Sequence, residues 1–349
     1  MEPEDLLKLA EAYLKPVPTP PGFNSRDIVR RAIEFDDPPR VPYSFVQPLE
    51  SDFVELYAVL GSAGGMLNIP KDEMQFDEWG VGWRGSGRLW GHPEVTPLAD
   101  LTALDSYQFP KVMTPERVGL LKRFAKAGNE VDKYVVGGDP IMNYERLRSV
   151  MGFENLMVAM YADRERFERL LDKLTDMTVE VVEMYESIGG VHGFMGVEDW
   201  GLQTSLQIKP ALWRDIFKPR YARIVDACHQ RGMHYILHSC GYIMDIIPDF
   251  IEVGVNVLQI DQPRLLGVDR LAQEFGGKIC FWNCVDIQWS SHWEVTLAEV
   301  QAEVRYMVEK LACFRGGLMA RQYPQPWDIE MPHEKHRAIY EAFMEAGCR

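Results

Sequence analysis

Eight short β-rich runs, each separated from the next by enough chain to hold a helix, constrain this sequence more than any other feature. They are VPYSFV (41–46), MQFDEWGVGW (74–83), YVVGG (134–138), HGFMGVE (192–198), HYILHSCG (234–241), NVLQID (256–261), KICFWNC (278–284) and GGLMAR (316–321). Between them lie stretches such as 163–187 and 210–232, whose apolar residues recur at three- and four-residue spacing, the pattern of a helix with one buried face. Alternating strands and helices of this kind build parallel βαβ units. The expected fold class is therefore α/β, a (β/α)8 TIM barrel spanning 1–349 as one domain.

Two additions are expected on that barrel. The first is an N-terminal helical extension over 1–40: a short charged helix, the proline-rich KPVPTPPG, then a helix capped by Asn24 or Ser25 with Ile28, Val29, Ala32 and Ile33 on one face. The second lies between 50 and 110, where glycine, tryptophan and proline dominate (LGSAGG, DEWGVGWRGSGRLWGHPEV), and reads as an irregular insertion over the barrel mouth.

Charge and cysteine usage narrow the function classes. A formal charge of -15 lacks the clustered Lys and Arg that phosphate binding requires, which excludes a nucleic-acid surface while leaving room for a basic protein partner. No apolar run approaches the roughly 20 residues of a membrane span, and the acidic N-terminus is unlike a signal peptide, so a cytoplasmic protein is expected. Six cysteines at 228, 240, 280, 284, 313 and 348 are too sparse for a disulfide framework. As reduced thiols they are available to bind a borderline-soft metal.

In barrels of this class the chemistry sits at the C-terminal ends of the strands. His238 and Cys240 close one strand two residues apart, and because strand side chains alternate they point the same way, an imidazole and a sulfur of the kind that bind zinc. Cys284, closing the strand after next, is the preferred third ligand, with Glu198 next. Glu198 and Asp199 are also candidates for acid–base work or for orienting a histidine. Asp261 and Gln322 close two further strands and are expected to contact substrate. Trp83, Trp200 and Trp282 are candidate walls of an apolar pocket, as are Trp79 and Trp90. Each of these has a structural alternative, since a lone cysteine is usually a small core residue and an indole is as often core or lid as pocket wall.

Four segments carry a family resemblance: NSRDIVRRAIEFDDPPRVPYSF; FDEWGVGW with the later PLADLTALDSYQFP; FKPRYARIVDACHQRGMHYILHSCGYIMDIIPDFIEVGVNVLQIDQP; and MPHEKHRAIYEAF. Together they resemble the uroporphyrinogen decarboxylase superfamily, most closely its corrinoid-linked methyltransferase branch, over nearly the whole chain. The resemblance implies a (β/α)8 barrel and, in that branch, a catalytic zinc held by a His-x-Cys pair like His238 and Cys240. Two departures stand out. The decarboxylases carry an arginine-rich motif directly after the first strand, where this chain reads VPYSFVQPLES. Thiol-methylating members place a further cysteine ligand after the last strand, where this chain reads GGLMARQYPQPW.

The expected function is zinc-dependent methyl transfer from a methylated small molecule, first of all a methoxylated aromatic, to the Co(I) of cobalamin carried by a separate corrinoid protein. The alternatives are transfer from a methyl-corrinoid to a thiol or other acceptor, a uroporphyrinogen decarboxylase-like lyase, and a barrel that binds without catalysing. A homodimer is a further expectation from the resemblance.

Overall fold

The computed structural model describes residues 14–45, 49–56, 68–87 and 91–347. Eight strands form one parallel sheet: β1 (Tyr43–Ser44), β2 (Phe53–Glu55), β6 (Tyr134–Gly138), β7 (Gly193–Val197), β8 (His234–His238), β9 (Val257–Ile260), β10 (Cys280–Asn283) and β11 (Leu318–Arg321). Their order is β1-β11-β10-β9-β8-β7-β6-β2, every ladder is parallel, and the sheet curls into a (β/α)8 barrel. At the seam the short β1–β2 connection replaces a ladder, with Asp52 N donating to Tyr43 O and Phe45 N to Glu50 O.

Alternation along the strands sorts the core into two shells. Phe53, Tyr134, Val136, Met195, Ile236, Val257, Cys280, Trp282 and Met319 fill the barrel interior. Their neighbours in the chain, among them Val54, Val135, Phe194, Tyr235, Leu237 and Leu258, pack outward against the helices. The helix Ser25–Glu34, capped by Asn24, closes the N-terminal end: Val29, Ala32 and Ile33 join the interior cluster, and Ala32 O accepts from Gly317 N at the start of β11. The opposite end of the barrel is left to polar side chains.

Two expectations are corrected. The second barrel strand is Phe53–Glu55, inside the segment read as an insertion, and 74–83 is no barrel strand. It forms instead an antiparallel sheet of β3 (Met74–Phe76), β4 (Gly82–Arg84) and β5 (His92–Val95), because Gly80, at φ 74°, turns the chain back on itself between β3 and β4. The helix expected over 210–232 is two, Pro210–Ile216 and Lys218–His229; Pro219 lacks the N–H that would continue the first and opens the second. LGSAGG, Trp90, Cys348 and the first 13 residues lie outside the described residues. Among those described, no helix is long and apolar enough to cross a membrane.

Candidate metal centre

His238 is the last residue of β8, and Cys240 follows where the strand turns outward. Their side chains meet, with Sγ of Cys240 3.4 Å from Nε2 of His238. The third group beside them is Asp199, two residues past the end of β7, whose Oδ1 lies 3.5 Å from the same Nε2. One ligand atom from each of Asp199, His238 and Cys240 falls within 4.8 Å of the others, among the described residues a cluster of nitrogen, sulfur and oxygen donors suited to one divalent ion.

Two glycines bring the donors together. The loops after β7 and β8 cross backbone to backbone at Gly201 and Gly241, where a Cβ on either residue would come within 2.4 Å of the other's main chain. Gly241 also sits at φ 78°, a conformation that L side chains rarely adopt. At this crossing Gly201 N donates to Cys240 O at 3.1 Å and Tyr242 N to Leu202 O at 2.7 Å, and Cys240 N donates to Asp199 Oδ1 at 3.1 Å. The carboxylate is thus fixed relative to the thiol by main-chain geometry.

The three groups shift one another's protonation. Burial works against a charged His238, yet Cys240 and Asp199 outweigh it and hold its pKa well above the usual imidazole range. Burial pushes the Cys240 thiol up to about 11. Partial burial opposes charge on Asp199, but the hydrogen bond and charge of His238 carry its carboxyl below the usual value. Nearby, burial and then the Asp199 carboxylate push Glu145 up to about 7, although Arg148 bonds it at 2.7 Å.

Other expected residues lie elsewhere. Cys284 is outside the group of three: its Sγ donates to Asp261 Oδ1 at 3.2 Å, and burial raises its thiol well above the ordinary range. Glu198 faces away from His238. Its oxygens accept from the backbone N–H groups of Tyr144 and Glu145 at 3.0–3.2 Å, at the start of the helix Asn143–Met151. That helix begins after Met142, which lies at φ 57° and offers no capping side chain, so the neighbouring strand supplies the acceptor.

The expected apolar walls are core. Trp200 is fully buried, stacked on Tyr144 at 4.0 Å and donating to Tyr221 Oη, and Trp282 is fully buried within the barrel against Phe53. Trp83 is buried in the antiparallel sheet with Nε1 on Asp77, and Trp79 is buried beneath Arg146. Gln322 ties β11 to the helix His333–Ala346 by donating to His336 O at 2.7 Å, while Asp261 bonds Gln259 and Cys284.

Sequence reasoning missed Gln259, Glu55 and Arg321, which line the polar top of the interior. Arg321 pairs with Glu55 at 3.5 Å and covers the Trp282 ring. The available signal was alternation: each follows a buried inward residue by two positions. Beside Cys284, the residues Arg321, Gln322, Tyr323, Met331 and His336 surround a crevice with room for about one water molecule.

Residues 92–282, over half of the chain, match the family described as Uroporphyrinogen decarboxylase (URO-D). Among curated proteins, the uroporphyrinogen decarboxylase of Bacillus pumilus is 25% identical over 204 residues, covering 58% of this chain and 52% of that one. That of a Geobacillus species is 24% identical over 152 residues, covering 43% and 40%. The matched stretches thus span about half the length of these relatives or less. Among solved structures, a methyltransferase from Methanosarcina mazei superposes with a TM-score of 0.65 at 14% identity, covering 93% of this chain and 99% of that one.

Proposed function

The chain belongs to the uroporphyrinogen decarboxylase family, and within it we propose that this member is a zinc-dependent methyltransferase, moving a methyl group from a methyl ether to the Co(I) of a separate corrinoid protein. The observation that carries this reading is the cluster of Asp199, His238 and Cys240 at the C-terminal rim of the barrel. Its donors fit zinc: one imidazole, one sulfur and one carboxylate, a set of three that leaves a position for substrate. When bound there, zinc supplies Lewis acidity that stabilises charge developing on the departing ether oxygen.

The chain's own residues would do the rest. Gly201 and Gly241 hold the two ligand-bearing loops in register. Glu145, pushed up to about 7 and in contact with the Asp199 backbone, can hold a proton near the leaving oxygen at neutral pH. Methoxylated aromatics, the donors expected from the sequence, are the first substrates to assay. Decarboxylation of a porphyrin carrying many carboxylates fits less well. Among the described residues, Arg148 and Arg321 beside the site are already paired with Glu145 and Glu55.

The test is to incubate the zinc-loaded protein with methoxylated aromatics and cob(I)alamin, following methylcobalamin by its absorbance. Product that disappears in His238→Ala and Cys240→Ser supports the reading. No product from any O-, N- or S-methyl donor, or equal rates without zinc, overturns it. Supplying methylcobalamin and a thiol to the same preparation tests the opposite direction of transfer.

A further inference from the structure

The side of His238 that faces away from Asp199 and Cys240 is as fully engaged as the side toward them. Its Nδ1 lies 2.5 Å from Oε1 of Gln259, the residue directly opposite it in the β8–β9 ladder. The other end of the same amide, Nε2, donates to Asp261 Oδ1 at 2.7 Å. Asp261 stands two positions along from Gln259 and so shares its face. That oxygen also receives the Cys284 thiol at 3.2 Å, from the residue just past the end of the neighbouring β10. All three side chains are buried, with 2% of Gln259, 6% of Asp261 and 2% of Cys284 exposed.

The direction of this chain follows from what each group can do. A carboxylate only accepts, so the amide must turn its NH2 toward Asp261. The carbonyl oxygen is left facing His238, and an oxygen there requires a proton on Nδ1. With Nδ1 committed as a donor, Nε2 is the nitrogen that can give up its proton to an ion, and it is the nitrogen that faces Cys240 and Asp199. The amide orientation, the histidine tautomer and the ring plane are therefore set together, from a carboxylate on the next strand.

We propose that Gln259 and Asp261 form a positioning relay that holds His238 with Nε2 presented to the metal, and that Cys284 is the terminal donor of this relay and not a ligand. The inference rests on the reading of Asp199, His238 and Cys240 as a metal centre. Neither Gln259 nor Asp261 touches the ion or the substrate; they act through the imidazole. The relay also accounts for a buried aspartate and a buried thiol at strand ends where sequence reasoning placed a substrate contact and a ligand.

The test compares wild type with Gln259→Met, Asp261→Ala, Asp261→Asn and Cys284→Ser. Zinc affinity is read by chelator competition, His238 in zinc-loaded, 15N-histidine-labelled protein by NMR, and folding by thermal unfolding. In wild type the expected signature is a slowly exchanging Nδ1–H and a metal-shifted Nε2. Gln259→Met should lose the protected proton and bind zinc ~10- to 100-fold more weakly, the usual effect of removing an outer partner of a ligand. Asp261→Ala should fall in the same direction, whereas Asp261→Asn retains an acceptor oxygen and should restore both signals. Cys284→Ser should keep full zinc stoichiometry.

A folded Gln259→Met with wild-type zinc affinity overturns the relay, as does a Cys284→Ser protein that loses zinc as completely as Cys240→Ser. Failure of the wild type to shift His238 on adding zinc overturns the metal centre itself, and the relay with it.

Discussion

Lowering the pH should strip metal from the centre, with a steepness fixed by the protons its ligands hold when no ion is bound. Burial keeps the Cys240 thiol protonated up to about 11, so below that pH the Asp199 carboxylate is the anion that opposes burial and holds His238 as imidazolium above its usual range. An ion needs the thiolate and the neutral imidazole, so both protons must leave as it binds. While both groups are protonated, the apparent affinity falls ~100-fold for each unit of pH decrease, about 2.7 kcal/mol at 1.36 kcal/mol per proton and unit. Above the raised pKa of His238 only the thiol proton remains to be displaced, and the slope relaxes to ~10-fold per unit. Asp199, held below the usual carboxylate range, contributes no proton near neutrality. Chelator-competition titrations at several pH values measure the slope, and calorimetry in buffers of different ionisation enthalpy counts the protons directly. Cys240→Ser should remove one proton from the count as well as weakening binding. A zinc affinity that is flat between pH 6 and 8, or release of fewer than one proton per ion, would refute the assignment of these two groups as ligands.

Three further perturbations separate structural from chemical roles. Glu198→Ala strips the acceptor from the N–H groups of Tyr144 and Glu145; it should cost about 2 kcal/mol in urea unfolding with zinc stoichiometry unchanged, and loss of zinc would return Glu198 to the ligand set. Trp282→Ala leaves a cavity inside the barrel and removes the ring beneath Arg321, so it should cost roughly 3–5 kcal/mol; a loss of activity without a loss of stability would argue that the ring contacts substrate after all. Asp139, forced up to about 6 by burial, favours its neutral form in the fold, so its contribution is present below the unfolded value near 3.8 and is lost as pH rises through 6. Asp139→Asn, which keeps an acceptor for Ile141 N, should therefore raise the melting temperature at pH 8 by an amount corresponding to at most about 3 kcal/mol, with the gain vanishing near pH 4.

How much of this was legible in the sequence depends on how far apart in the chain the relevant atoms lie. The pairing of His238 with Cys240 needs only the two-residue period of one strand, and the interior and exterior faces of seven barrel strands follow from the same period. The strand Phe53–Glu55 was hidden because three residues carry little pattern, whereas MQFDEWGVGW is richer in β-formers. Such composition does not tell a barrel strand from a hairpin, and only the turn at Gly80 does. Glu198 and Asp199 are adjacent, and nothing local says which one turns to His238 and Cys240. The choice is made at a distance by the Gly201–Gly241 crossing, which delivers Asp199 to Cys240, and by the uncapped helix after Met142, which takes Glu198.

The same logic explains why Cys284 resembles a ligand in the sequence and stands apart in the fold. A barrel brings successive strand ends to one rim, so any cysteine closing a strand passes the sequence criterion. The ladders then fix which side chains are neighbours: Cys284 follows Asn283, opposite Ile260, and so comes beside Asp261, one strand removed from His238. Polar residues at the ends of three consecutive inward faces therefore divide into those that meet at His238 Nε2 and, in the proposed centre, those that hold its ligands in place. Register, which no single strand encodes, makes that division.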